Sequence, residues 1–403
     1  MRGLVSEDES QETVLKNISS CFVTKGYSRS VIIDTQRADY RIVPNSLIGF
    51  MDTMQFKSKR EIYGTTSNED ESSTVTEYLD YLEEMEFSFW CPKIIENNFP
   101  DVSLEWDSHS VIQNAIISIN RTTDILTIIS QLERFNCFHI QLRLYDYLRV
   151  EDLDILLKHF EFSIFTSIEL HLGYFNTAIN DIAEILAKHP RVHVILFLNS
   201  AEEAIYSVNE YQRIVFSSID ADKSDSVSNI SIEQFIANIT FYNESLLHNV
   251  YFNRKLCLDK DGYIRNSLEL PWHYGNISDT QMEDAVKSRE AESHFFKKYA
   301  RADIDFGKIK PAFNSLWDIH KQMIDVCKDC EFRNMCLDAR CPLQRENGTW
   351  YHNTECNYNP YISKWHGEDG YKTLSECSVI ANETTYYRDD KVLEEINKIL
   401  WQE

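Results

Sequence analysis

Four of the ten cysteines fall inside residues 327–341, "CKDCEFRNMCLDARC", and another, Cys356, follows in "WYHNTEC". Two residues separate Cys327 from Cys330, five separate Cys330 from Cys336, and nineteen separate Cys336 from Cys356. Three thiolates from one local loop, closed by a fourth from outside it, make a single metal centre geometrically reasonable. Four thiolates suit a [4Fe–4S] cluster and tetrahedral zinc alike. C-x2-C pairs are common in zinc sites, so structural zinc is the plain reading. His320, His352 and His366 flank the cysteines and could ligate zinc, although a histidine in so aromatic a segment is more often a hydrogen-bonded structural residue. Cys21, Cys91, Cys137 and Cys257 lie far apart and read as small buried hydrophobes.

A second chemical group sits on expected strands. His139, Gln141 and Arg143 alternate with Phe138, Ile140 and Leu142, and Glu169, His171 and His193 repeat the pattern. A polar row on neighbouring strands could line a wet pocket, with His139, Arg143, Glu169 and His171 as its chemistry. The alternative is an open solvated face, or groups that satisfy one another. The chain holds no phosphate loop, G-x-G-x-x-G, H-E-x-x-H or nucleophile elbow, so nucleotide chemistry of its own is not expected.

The elements that must position these residues follow from periodicity. The runs "CFVTKGY", "SRSVIID" and "DYRIVP" predict a small antiparallel sheet, followed by a short helix, "SLIGFMDTM", and a helix with Val75, Leu79, Leu82 and Met85 on one face. Next, "SVIQNAIISI", "FHIQLRL", "SIELHL" and "RVHVILFL" alternate with helical patterns through Ile125–Phe135, Leu153–Phe160 and Ile179–Leu186, a βα repeat that predicts a mainly parallel sheet or partial barrel. Asp261-Gly262 marks a hairpin, residues 278–300 read as a helix, and the end of the chain is an amphipathic helix. At 403 residues the expectation is an α/β multidomain chain with segments 12–95, 100–245 and 246–403.

Composition narrows the partners. A net charge of −24 and a pI near 4.9 disfavour nucleic acid. No stretch approaches the roughly 18 apolar residues of a membrane span, and "MRGLVSEDES" offers no signal-peptide core, so a cytoplasmic protein without membrane contact is expected.

The run Cys327, Cys330, Cys336 and then Cys356 resembles the second half of a SPASM domain, the C-terminal iron–sulfur module of many radical SAM peptide maturases. With "GYSRSVIID", "PNSL", "YGNI" and "WYHNTECNYNPYI", the whole chain is similar to the SPASM-domain proteins of grasp-with-spasm peptide-modification systems. The resemblance implies one [4Fe–4S] cluster on those four cysteines, a precursor peptide as partner, and an ATP-grasp ligase that makes ester or amide crosslinks. It also implies a degenerate radical SAM-like barrel in the middle. The C-x3-C-x2-C triplet that would bind S-adenosylmethionine is missing, and Ser267 stands where a cysteine of the earlier SPASM pair would fall, so no radical cluster is expected. A scaffold is therefore favoured over a radical-derived enzyme working by other chemistry, or over an iron–sulfur electron carrier.

The first segment resembles the winged-helix RiPP recognition element, which binds a leader peptide as an added strand. The matching positions are Asp39, Tyr40, Arg41, Ile42 and Val43 on the third strand and Tyr78, Leu79 and Leu82 on the following helix.

Overall fold

The structure, a computed structural model, describes residues 12–120, 124–144, 149–174, 178–220, 230–289 and 311–401. It divides into two compact units, each discontinuous in sequence: residues 1–106, 229–248 and 320–403 in one, residues 107–228 and 249–319 in the other. The segment read as 246–403 is therefore split. Its hairpin joins the parallel sheet, and its cysteine-rich part packs with the N-terminal elements.

In the first unit, β1 (Thr13–Asn17) leads into β2 (Cys21–Lys25), β3 (Arg29–Asp34) and β4 (Asp39–Pro44), which form an antiparallel sheet in that order. Helices α1 (Asn45–Met54), α2 (Lys59–Tyr63) and α3 (Glu69–Glu84) follow, and β5 (Ser88–Pro92) returns to pair with β1. The Asn68 side chain caps α3 by accepting from the Glu71 N–H at 2.9 Å. Reciprocal bonds between Ser58 and Glu61 cap α2, an S-x-x-E signature present in the sequence but not read there.

Strand β3 is buried along nearly its whole length because both faces are covered. Ile32 on one face joins Leu15, Val43, Leu47, Phe50, Leu79 and Leu82 in a core with the helices. Val31 and Ile33 on the other join Ala237, Tyr242, Phe332, Met335 and Tyr358. A continuous apolar run fits a strand buried on two sides. Tyr242 arrives on a helix, Ile239–Leu247, and stacks on Phe22 with ring centroids 4.4 Å apart.

The second unit is built on β6 (Asn114–Ser118), α4 (Ile125–Arg134), β7 (His139–Leu144), α5 (Val150–Lys158), β8 (Ser167–Gly173), α6 (Ile179–Lys188) and β9 (Val192–Leu198). Strands β10 (Ala204–Ser207), β11 (Arg213–Phe216), β12 (Lys255–Leu258) and β13 (Ile264–Arg265) complete an eight-stranded sheet of order β10-β11-β9-β8-β7-β6-β12-β13. Only the outermost pairs, β10/β11 and β12/β13, are antiparallel. The rest are parallel, the arrangement that helical crossovers impose. Gly262 turns the β12–β13 hairpin at φ 84°, a conformation that favours glycine. Of the helix expected over residues 278–300, the described part is Met282–Lys287; residues 290–310 lie outside the described residues. The chain closes with a helix, Asp390–Trp401. No described helix is long and apolar enough to cross a membrane.

Candidate metal centre

The cysteine loop has little regular structure, so its shape must come from what it packs on. Val326 turns the chain at φ 69°, ψ −50°, a strained geometry for a β-branched residue, and Cys327–Asp329 then form one 3-10 turn. The β2–β3 hairpin holds the far side. The Tyr27 N–H donates to the Asp329 carbonyl at 2.8 Å, Arg333 Nη1 to the Lys25 carbonyl at 2.7 Å, and Thr24 Oγ1 to Asn334 Oδ1 at 3.0 Å. A Cβ on Gly26 would lie 2.8 Å from the Glu331 nitrogen, so the hairpin turn needs glycine to come this close.

Between hairpin and loop sits the fully buried carboxylate of Glu331. It accepts from Arg29 Nε at 2.7 Å and from the Tyr358 hydroxyl in a short bond. Burial pushes its carboxyl up, against the pull of those two donors.

Cys327, Cys330, Cys336 and Cys356 line one cavity of about 290 Å³. Sequence spacing grouped these four, and the fold brings all four to one cavity. Burial raises all four thiols, Cys327 to about 11, while the charge of Arg340 pulls Cys327 and Cys356 the other way. Arg340 Nη2 lies 3.9 Å from Cys327 Sγ. Cys341 and Cys377 do not line this cavity; the Cys377 thiol is buried and accepts from Asn359 Nδ2 at 3.5 Å.

A buried charge cluster shares the same wall. Asp338, 1 % exposed at its side chain, takes Arg340 through Nε at 3.0 Å and Nη2 at 2.8 Å, with Lys321 Nζ at 3.5 Å. These cations hold the Asp338 carboxyl well below the usual range, although burial works against them. His352 lies beside it. Burial first and Arg340 second push its imidazole down to about 3, so the ring is neutral.

Among the described residues, the group of three or more candidate ligands whose atoms all fall within 4.8 Å is Cys327, Asp338 and His352. The four cysteine sulfurs form no such group, so they surround the space more widely. Four buried thiols on one cavity beside the buried cations Arg340 and Lys321 are a donor set compatible with zinc or with an iron–sulfur cluster.

The other expected residues separate. On β4, Arg41 and Ile42 are exposed, with Asp39 paired to Arg41 at 2.6 Å, and β4 is an outer strand of its sheet. Val43 is buried, and Tyr40 packs edge-on to Phe235 and Phe332. Leu79 and Leu82 are 3 % and 0 % exposed, so they belong to the core and cannot line an open groove. Tyr78 is half-buried and shares a 2.7 Å hydrogen bond with Ser46.

The polar row on the sheet largely satisfies itself: Arg143 Nε donates to Gln141 at 2.8 Å, and His171 Nε2 bonds Glu169 at 2.7 Å. Burial opposes ionisation of Glu169, but His171 keeps its carboxyl below the ordinary value. His139 is exposed at the start of β7.

Sequence reasoning missed Arg29, Glu331, Asp338 and Arg340. Arg29 and Glu331 stand 302 positions apart, and no local pattern announces such a pair.

No protein-family model and no curated protein matches the chain. Among solved structures, the crystal structure of Streptococcus suis SuiB aligns with 80 % of this chain and 94 % of that one, at a TM-score of 0.29 and 9 % identity. Likeness so distant leaves fold and chemistry to be argued from the residues themselves.

Proposed function

We propose that the chain is a maturation protein for a ribosomally made precursor peptide: it binds the leader on β4 and acts together with an ATP-grasp ligase. The N-terminal elements serve in this reading as a winged-helix recognition module, the parallel sheet as the remnant of a radical SAM-like barrel, and the C-terminal region as a SPASM-like domain. One [4Fe–4S] cluster would be held by Cys327, Cys330, Cys336 and Cys356, its four thiolate positions filled by protein. It would supply rigidity or carry an electron.

The observation that carries the reading is the packing of β3. The strand next to the open β4 edge lays its other face on Phe332, Met335 and Tyr358 of the cysteine loop, so peptide edge and thiolate cavity share one compact unit. An open edge supplies the backbone groups that strand addition needs. The ligase follows from the sequence resemblance.

The test is reconstitution of the precursor with the ligase, with this protein, and with both. Modified peptide only when both are present is the expected result. Modification by the ligase alone would remove the chain from the pathway.

A second reading, an enzyme using non-radical chemistry, is favoured by one observation: His171 Nδ1 is buried without a hydrogen-bond partner while Nε2 is held by Glu169, a disposition suited to a base. Conversion by this protein without the ligase would select it.

A further inference from the structure

His352 sits at the thiolate cavity with a side chain only 5 % exposed. Its Nδ1 lies 3.3 Å from the carbonyl oxygen of Cys341, which can only accept. Nδ1 therefore carries the proton, and the lone pair of the neutral ring is on Nε2. That nitrogen is buried and has no hydrogen-bond partner. Asp338 is 3.5 Å away, but both its oxygens are engaged by Arg340. Leaving a buried imidazole nitrogen unsatisfied is unfavourable. A ring nitrogen of His352, Cys327 Sγ and an Asp338 oxygen lie within 4.8 Å of one another.

We propose that His352 ligates the metal centre through Nε2 at the position beside Cys327 and in place of that thiolate, giving one imidazole and the three thiolates of Cys330, Cys336 and Cys356. This rests on the reading of the cysteine cavity as a metal centre and amends its ligand set at Cys327 alone. The arrangement has the two parts of a built histidine ligand: a backbone carbonyl that fixes the tautomer, and a buried, unpartnered Nε2 within reach of Cys327 and Asp338. Asp338 is then not a ligand; its carboxylate anchors the two cations that offset the thiolates. Exchanging a thiolate for a neutral imidazole removes a negative charge from the centre, which raises the reduction potential of an iron–sulfur cluster.

The full chain, with histidine labelled by nitrogen-15, is reconstituted anaerobically with iron and sulfide, reduced, and examined by pulsed electron paramagnetic resonance. The expected result is strong hyperfine coupling to one histidine nitrogen. That coupling should persist in His366→Ala and vanish in His352→Cys, where metal is retained at a lower potential. A reduced cluster with no coupled histidine, or with unchanged coupling in His352→Cys, overturns the proposal and spares the four cysteines. Absence of bound metal in the parent protein, or full metal content in Cys336→Ala, overturns the cysteine reading itself. If zinc alone is retained, absorption at the zinc edge decides: a nitrogen scatterer near 2.0–2.1 Å supports His352, and an all-sulfur shell overturns it. Should His352→Cys fail to fold, the labelled parent still answers.

Discussion

At the residue scale, the centre is governed by charges that the thiols do not carry themselves. Asp338 is nearly inaccessible, as are its partners Arg340 and Lys321, at 7 % and 10 % side-chain exposure. Burying such ions is tolerable only while each is paired and hydrogen-bonded. Asp338→Asn keeps the shape and deletes the anion, leaving two buried cations facing each other. The expected loss is about 3–5 kcal/mol of unfolding free energy, read from the denaturant midpoint, together with weaker metal retention. A midpoint within a few tenths of a molar of the parent would mean that water reaches the cluster and screens it. Asp338→Ala separates size from charge: if charge is what matters, the two variants should be similarly unstable.

At the element scale, β4 is the part whose accessibility the proposed function depends on. Ile42 is 43 % exposed on an outer strand, and proline there removes a backbone donor while constraining the chain. Ile42→Pro should reduce leader affinity at least tenfold in a fluorescence-anisotropy titration. Ile42→Asp, which alters only the exposed side chain, should bind more weakly with an unchanged melting temperature. Undiminished binding by both variants would place the leader elsewhere. Strands β2–β4 and β6–β9 with helices α4–α6 were legible from the sequence because each carries its own periodicity, and Asp261-Gly262 announced its hairpin. Strands β1, β5, β10 and β11 were not. β1 and β5 pair across about seventy residues, so neither carries a local turn signal for the other. Leu79 and Leu82 show the limit on facing: periodicity put them on one stripe, but only the packing reveals that the stripe is core. Cysteine spacing was legible, and His352 stood out with His320 and His366 as a possible ligand; what separates it from those two lies in a carbonyl and a carboxylate that only the fold supplies.

At the scale of the whole molecule, linear segments do not coincide with folding units. The cysteine-rich region buries Phe332, Met335 and Tyr358 against Val31 and Ile33, and Glu331 depends on Arg29 for its nearest cation. Removing residues 12–95 would strip that face, expose an apolar patch and leave the Glu331 carboxylate without its ion pair, a loss of several kcal/mol from that one charge. The hairpin bonds from Tyr27, Lys25 and Thr24 to the loop would go as well. A chain beginning near residue 96 is therefore expected to lose most of its bound metal and to aggregate or bind hydrophobic dye, even though every cysteine of the 327–356 set is still present. Metal content per chain and dye fluorescence measure this directly. Arg29→Met gives the graded version: the sheet remains, Glu331 loses its ion pair, and metal retention should fall partway. A truncated chain that holds metal as well as the parent would show that the loop shapes itself. In that event the link between peptide edge and metal centre would be only one of proximity.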